Sequence, residues 1–281
     1  MGNAIIEGGV RAALAGAFTP KFLATLDARG RPNCVPVISI TPYDDATVIF
    51  GEFLMNKTRV NLDARPEVCI AVQNEAFESW SILGRFEGWE TKGPRIDAIN
   101  RSPMFRYNAY TSVRAAGTIR VVEIGPMQRL SKTRMIARYA FARALSPWYA
   151  GRGAAVNRGQ DGPVPVMPVR VREKFRRLGA VRAVAFREGA DDGFPRAFVV
   201  MPCVAAGGQR LLFSDPRADV WLERAPAGVE MAVAVITRDA IAYQVKGVYR
   251  GTGAGVHVVD LDACYSASPP LAGDRLDPIR A

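Results

Sequence analysis

One set of identities at a fixed spacing runs through this chain and narrows what it can fold into. Gly84 meets Gly247 at an offset of 163 residues, and at that offset Gly30 meets Gly193, Pro32 meets Pro195 and Phe50 meets Phe213. Ala71 and Ala234, Val72 and Val235, and Gly88 and Gly251 match in the same way. The matches are collinear, need no gap, and fall on turn glycines, a strand-entry proline and apolar positions, where a repeated fold restricts residue type most. They predict an ancient duplication: two copies of one domain in 281 residues, a length that gives each copy its own core.

Each copy reads as β structure. In the first, short apolar runs at residues 22–26, 34–41, 47–50, 68–73, 80–90 and 117–124 are separated by turn chemistry such as Asp27-Ala28-Arg29-Gly30 and Pro42-Tyr43-Asp44-Asp45. Strands at this spacing within one domain predict a small closed barrel, with residues 94–106 as a helical insertion. Residues 127–145 hold strong helix formers, with Leu130, Ile136, Tyr139 and Phe141 among basic residues, and predict a connecting helix packed on the barrel. Gly- and Pro-rich sequence follows. The division expected is therefore a first domain at 1–145, a linker at 146–175 and a second domain at 176–281.

Composition excludes several classes. With 49% hydrophobic and 23% charged residues the chain is a packed globular protein, not a disordered one. No apolar run reaches the roughly 20 residues of a membrane-spanning helix. Glu7 and Arg11 interrupt the apolar amino-terminal stretch, and Ile6 stands where a myristoylation signal wants Ser or Thr, so a cytoplasmic location is the expectation. The four cysteines form no CxxC pair, which speaks against a zinc site or a redox couple; Cys34, Cys69 and Cys203 read as small hydrophobes, with Cys264 open. The net charge of +10 is spread through the chain, chiefly as Arg. Its densest stretch, residues 170–177, lacks the aromatic interleaving of single-strand binders, so solvated surface charge is favoured over nucleic-acid binding.

The most informative segment is Gly51-Glu52-Phe53-Leu54-Met55-Asn56-Lys57-Thr58-Arg59-Val60-Asn61, a strand end running through a loop into a short helix. A Lys-Thr pair at a helix start offers an ammonium, a hydroxyl and unpaired backbone N–H groups together, which suits a phosphate monoester. On spacing alone, a solvated Lys beside a Thr N-cap is the better reading.

The order PNCVPVISI, then VIFGEFLMNKTRVNLDARPEVCIAV, then WSILGRFEGWETKGP resembles the small FMN-binding split-barrel proteins of the pyridoxamine 5'-phosphate oxidase-like superfamily, over residues 22–124. The resemblance implies a mainly β chain of two tandem split β-barrels with some helices, and FMN as cofactor. It places the flavin phosphate on Lys57 and Thr58 with Asn61 nearby. The isoalloxazine would be bordered by Gly51, Glu52, Phe53 and Leu54 and by Pro36, Val37 and Ile38. At the corresponding place the second copy has Val220-Trp221-Leu222-Glu223-Arg224, which lacks the Lys-Thr pair. It would be a degenerate barrel, giving one flavin per chain. Single-barrel relatives build the pocket across a dimer interface, so the second copy would stand in for the partner; a further homodimer stays open. The oxidase's carboxyl-terminal substrate signature is missing from residues 260–281, which disfavours pyridoxamine oxidation.

No Ser-His-Asp set, paired carboxylates or metal-ligand cluster stands out, and the catalytic residues are unknown at this stage. The expectation is an FMN-dependent oxidoreductase acting on a small organic substrate or on electrons from a reduced pyridine nucleotide, NAD(P)H. Arg106, Tyr107, Tyr110 and Arg114 are candidates for the substrate side, or equally surface packing. One alternative is a non-catalytic FMN carrier or sensor. Another is haem binding through the single histidine, His257, although a lone strand His is more often structural. The Gly-rich run at 251–255 lacks the GK[ST] and helix of a phosphate loop.

Overall fold

The computed structural model describes residues 4–53, 55–102, 113–151, 158–159, 162–163, 166–189, 193–223, 225–269 and 271–277. Helix α1 (Gly8–Ala15) leads the chain and lays Val10, Ala13 and Leu14 into the core. Strands β1 (Lys21–Leu26), β2 (Pro32–Pro36), β3 (Thr41–Pro42) and β4 (Thr47–Gly51) follow, then α2 (Asn56–Ala64), β5 (Glu67–Gln73), β6 (Glu78–Glu90), α3 (Pro94–Asn100) and β7 (Ala116–Ile124). Next come β8 (Gln128–Arg129), α4 (Lys132–Gly151), a ribbon of β9 (Arg158–Gly159) and β10 (Gly162–Pro163), and α5 (Val169–Arg176). The rest is β11 (Val181–Arg187), β12 (Pro195–Val200), β13 (Cys203–Ala206), β14 (Arg210–Phe213), α6 (Pro216–Leu222), β15 (Glu230–Ile236), β16 (Ala242–Gly253) and β17 (Val256–Ser266).

The chain is mainly β, as expected, in two antiparallel split barrels. The first sheet runs β2-β1-β5-β6-β7-β4-β3 and the second β12-β11-β15-β16-β17-β14-β13, the same order strand for strand. Register agrees as well: Val68 faces Gly84 as Met231 faces Gly247, and Thr41 faces Ile49 as Val204 faces Leu212. The constant spacing breaks at the first hairpin, at the helices, since α2 and α6 start 160 residues apart, and at β7 and β17, where Phe50 faces Gly117 and Phe213 faces His257. Leu26 pairs with Pro32 but Arg187 pairs with Pro195, so the first hairpin of the second sheet is longer.

Strands β5 and β15 are unbroken apolar runs because both of their faces are covered. Val68, Ile70 and Val72 enter the first barrel's core, while Cys69 and Ala71 face the other sheet. In β15, Met231, Val233 and Val235 point into their own core, and Ala232, Ala234 and Ile236 point across. The layer between the sheets is thus made largely of Ala and Cys, with Ala24, Cys34, Ala183, Ala185 and Ala197 completing it. Small side chains let the two sheets approach closely with little loss of rotamer freedom. All four cysteines are buried and free.

Each sheet is split between its first and last strands, which are neighbours along the chain. In the first barrel residues 37–40 cross that seam, and here the continuous strand expected over 34–41 is broken. Pro36 has no N–H for a ladder, and Lys21 competes for the carbonyls: its Nζ donates to Ile38 O at 2.9 Å and Ile40 O at 2.8 Å. Helix α4 starts later than the expected residue 127, because Gln128–Arg129 pairs with β6 instead. It continues through Pro147 to residue 151, and α5 follows, so the stretch read as linker carries helical structure.

Candidate functional site

The seam of the first barrel opens into a cavity of about 350 Å³ that both units wall. From the first unit come the end of β2, the seam residues up to Ser39, Gly51, Phe53 and the start of α2; from the second come Ile236, Ala240, Ala242, Gln244 and residues 265–269 after the middle of β17. The lining is largely apolar, and its polar side chains include Asn33, Ser39, Asn56, Lys57, Thr58, Gln244 and Ser266. That is the composition of a small-molecule site, in which a few polar groups orient a mostly apolar ligand.

Of the residues singled out from sequence, Pro36, Val37, Ile38, Gly51, Phe53, Lys57 and Thr58 line this cavity together. Leu54, Arg106, Tyr107 and Tyr110 lie outside the described residues, and Arg114 is exposed away from the lining. Glu52 and Asn61 stand behind the wall. The Glu52 carboxylate is buried and pairs with Arg59 Nη1 at 2.5 Å, tying the loop to α2. Asn61 donates from Nδ2 to Thr25 Oγ1 at 3.0 Å, anchoring α2 on β1.

Helix α2 begins without a side-chain cap: Met55 occupies the N-cap position and makes no capping bond. The first helical bond is Arg59 N–H to Met55 O, so the backbone N–H groups of the preceding turn have no partner within the helix. Asn56, Lys57 and Thr58 of that turn all border the cavity. Thr58 is 2% exposed; its hydroxyl accepts from Asn33 Nδ2 at 3.4 Å, which leaves the hydroxyl proton free to donate. Asn33 is itself held by the second unit, since Gln244 Nε2 donates to Asn33 Oδ1 at 3.2 Å and to Cys34 O. Lys57 Nζ lies 5.1 Å from the ring centre of Tyr265 in β17.

Glycine at position 51 follows from packing: a Cβ there would stand 2.9 Å from the Phe53 ring and 3.0 Å from Val113. Behind the seam, Lys21 is 2% exposed, and burial pushes its amine down to about 8. Asn33, Gln244 and Tyr265 had no local signature. Two of them lie about 200 residues from Lys57, and the only hint was the expectation that the second copy would replace a partner subunit.

The corresponding place on the second unit is filled. Trp221, in the second half of α6, stacks on Phe198 with ring centres 5.9 Å apart and donates to Gln128 Oε1 at 3.3 Å. Arg217 pairs with Asp215 at 2.8 Å and reaches across to Gln73 Oε1 at 3.3 Å and Ser79 Oγ at 3.1 Å. His257 is buried with both ring nitrogens engaged: Nδ1 with the Tyr249 hydroxyl at 2.8 Å and Nε2 with Asp219 Oδ1 at 2.7 Å. Its ring stacks on Phe213. An axial metal bond would have to displace one of these partners.

A family profile described as pyridoxamine 5'-phosphate oxidase matches residues 10–153. No curated protein matches the chain. Among solved structures, a variant of HupZ from Group A Streptococcus is 24% identical, covering 43% of this chain and 98% of its own, with a TM-score of 0.37. An FMN-binding protein from Syntrophomonas wolfei subsp. wolfei is 16% identical over 43% of this chain and 85% of its own, at a TM-score of 0.37. HutZ, the haem storage protein of Vibrio cholerae, is 16% identical over 39% and 84%, at 0.29. Among the described residues no helix is long and apolar enough to cross a membrane.

Proposed function

This chain belongs to the pyridoxamine 5'-phosphate oxidase family, and from that premise we propose that it binds FMN in the cavity between its two units and serves as an oxidoreductase for a small organic substrate or for electrons from a reduced pyridine nucleotide. The observation that carries the reading is the uncapped start of α2, with Lys57 and Thr58, in the wall of a largely apolar cavity. A helix N-terminus with free N–H groups, a hydroxyl with an available proton and a nearby ammonium suit a phosphate dianion. The apolar remainder, with Pro36, Val37, Ile38, Phe53, Ile236 and Ala242, suits a flat ring system.

When bound, FMN supplies the hydride and electron transfer that no side chain can. The residues of this chain bind, orient and exclude water. Lys57, Thr58 and the first turn of α2 hold the phosphate. The Asn33–Gln244 pair holds Thr58 from the second unit. Residues 36–39 would border the ring, with Lys21 fixing the Ile38 and Ile40 carbonyls from behind. Filling of the corresponding second place by Trp221 and Arg217 supports one flavin per chain.

The test is to reconstitute the purified protein, release the ligand with acid and identify it by chromatography. FMN at about one per chain is expected; recovery of FAD, or of no flavin, would sink the proposal. Oxidation of reduced pyridine nucleotide by the loaded protein then separates an enzyme from a carrier.

A further inference from the structure

We propose that Lys246, from the second unit, completes the phosphate site: it and Lys57 form a two-amine clamp that closes on the phosphate dianion, so that FMN binding takes up one proton from solvent. The inference rests on the reading of the cavity as an FMN site and assigns a residue and a regulation within it.

Lys246 lies in the middle of β16, flanked by Ala232 of β15 and Ala263 of β17, so its stem has a fixed origin. Its Nζ donates to Pro32 O at the start of β2, crossing from the second unit to the first. There it faces Lys57, which lines the cavity; Lys246 stands behind that lining, beside Asn33, the residue after Pro32. The other charges facing it are Asp27 and Arg31 in the turn between β1 and β2, and these two pair with each other at 3.0 Å. Among the described residues neither Lys57 nor Lys246 forms a salt bridge.

Two amines that face each other while the nearest carboxylate, Asp27, is already paired with Arg31 cannot both carry charge at no cost, because like charges repel. Burial, and then Lys57, lower Lys246 to about 7. At pH near 8 the free protein therefore holds Lys246 mostly neutral. A phosphate dianion at the start of α2 reverses the balance, since it gives each ammonium an opposite charge to bond. Lys246 then takes a proton from solvent and becomes an ammonium; no other bond changes. FMN affinity should accordingly decline as pH rises above 7, while riboflavin, which lacks the phosphate, should show no such decline.

Titration calorimetry at pH 8 in two buffers of different ionisation enthalpy measures the protons taken up, with FMN and riboflavin as the ligands. Wild-type protein is expected to take up close to one proton per FMN and none per riboflavin. Lys246→Met should weaken FMN by about tenfold to a hundredfold and leave riboflavin unchanged. Lys246→Arg, whose charge is permanent, should keep FMN affinity and lose the proton uptake. FMN binding without proton uptake in the wild type, or undiminished FMN affinity in Lys246→Met, overturns the inference while leaving the FMN site standing. Failure of the wild type to bind either flavin would instead remove the site and the inference together.

Discussion

Two lysines in the first unit play opposite parts. Lys57 is exposed and lies over the Tyr265 face, an interaction worth about 0.5–1 kcal/mol at an exposed position. A charge-assisted bond to phosphate is worth roughly 1.5–3 kcal/mol, so Lys57→Ala should weaken FMN binding by about tenfold to a hundredfold while the melting temperature of the free protein barely moves. Val220, 163 residues further along, is 63% exposed; Val220→Ala should change neither quantity. Normal FMN binding by Lys57→Ala would place the phosphate elsewhere. Lys21 is buried and titrates with folding. Its amine sits at about 8 in the folded chain, below the 10.5 of an exposed lysine, so between those values the unfolded chain binds more protons and stability rises with pH. The gap in melting temperature between wild type and Lys21→Met should therefore widen in favour of the wild type from pH 8 to pH 10. A gap that stays flat would mean the amine is not held away from water.

Among the elements, α2 shows how a helix can be left deliberately incomplete. An Asp or Asn at the N-cap typically stabilises a helix by about 1 kcal/mol, yet Met55 holds that place and packs on the first core. Met55→Asn and Met55→Asp lose the same packing and gain the same kind of cap; only the second adds a negative charge where the phosphate is proposed to sit. Their melting temperatures should be close, and Asp should bind FMN about threefold to tenfold more weakly than Asn. Equal affinities would argue that the anion does not use this turn. The strands were legible because their apolar runs and turn residues are local signals, and β1, β4, β5, β6 and β7 fall within a residue or two of the expected runs. The break at residues 37–40 was not, since it depends on Lys21, far along the chain, taking the Ile38 and Ile40 carbonyls. Nor was the late start of α4, which is set by the pairing of β8 with β6.

At the scale of the whole molecule, the repeated spacing carried more of the fold than any motif, because it foretold two units of one topology. It could not name Gln244, Lys246 or Tyr265, whose roles come from how the sheets face each other. That facing is set by the Ala and Cys layer, in which every added methylene has to push two sheets apart. Ala234 points into the layer, and Val233, one residue away on β15, points into the second barrel's own core. Ala234→Leu should cost about 1–3 kcal/mol by overpacking, and Val233→Ala should cost a comparable amount by leaving a cavity. Their effects on the ligand should differ. The cavity has walls from both units, so shifting one sheet against the other moves Gln244 and Tyr265 relative to Asn33, Thr58 and Lys57. Measured at a temperature where both variants are folded, Ala234→Leu should lose at least about tenfold in FMN affinity and Val233→Ala should bind like the wild type. If both bind alike, the first barrel holds the flavin without help from the second, and the second unit's part in the site would have to be given up.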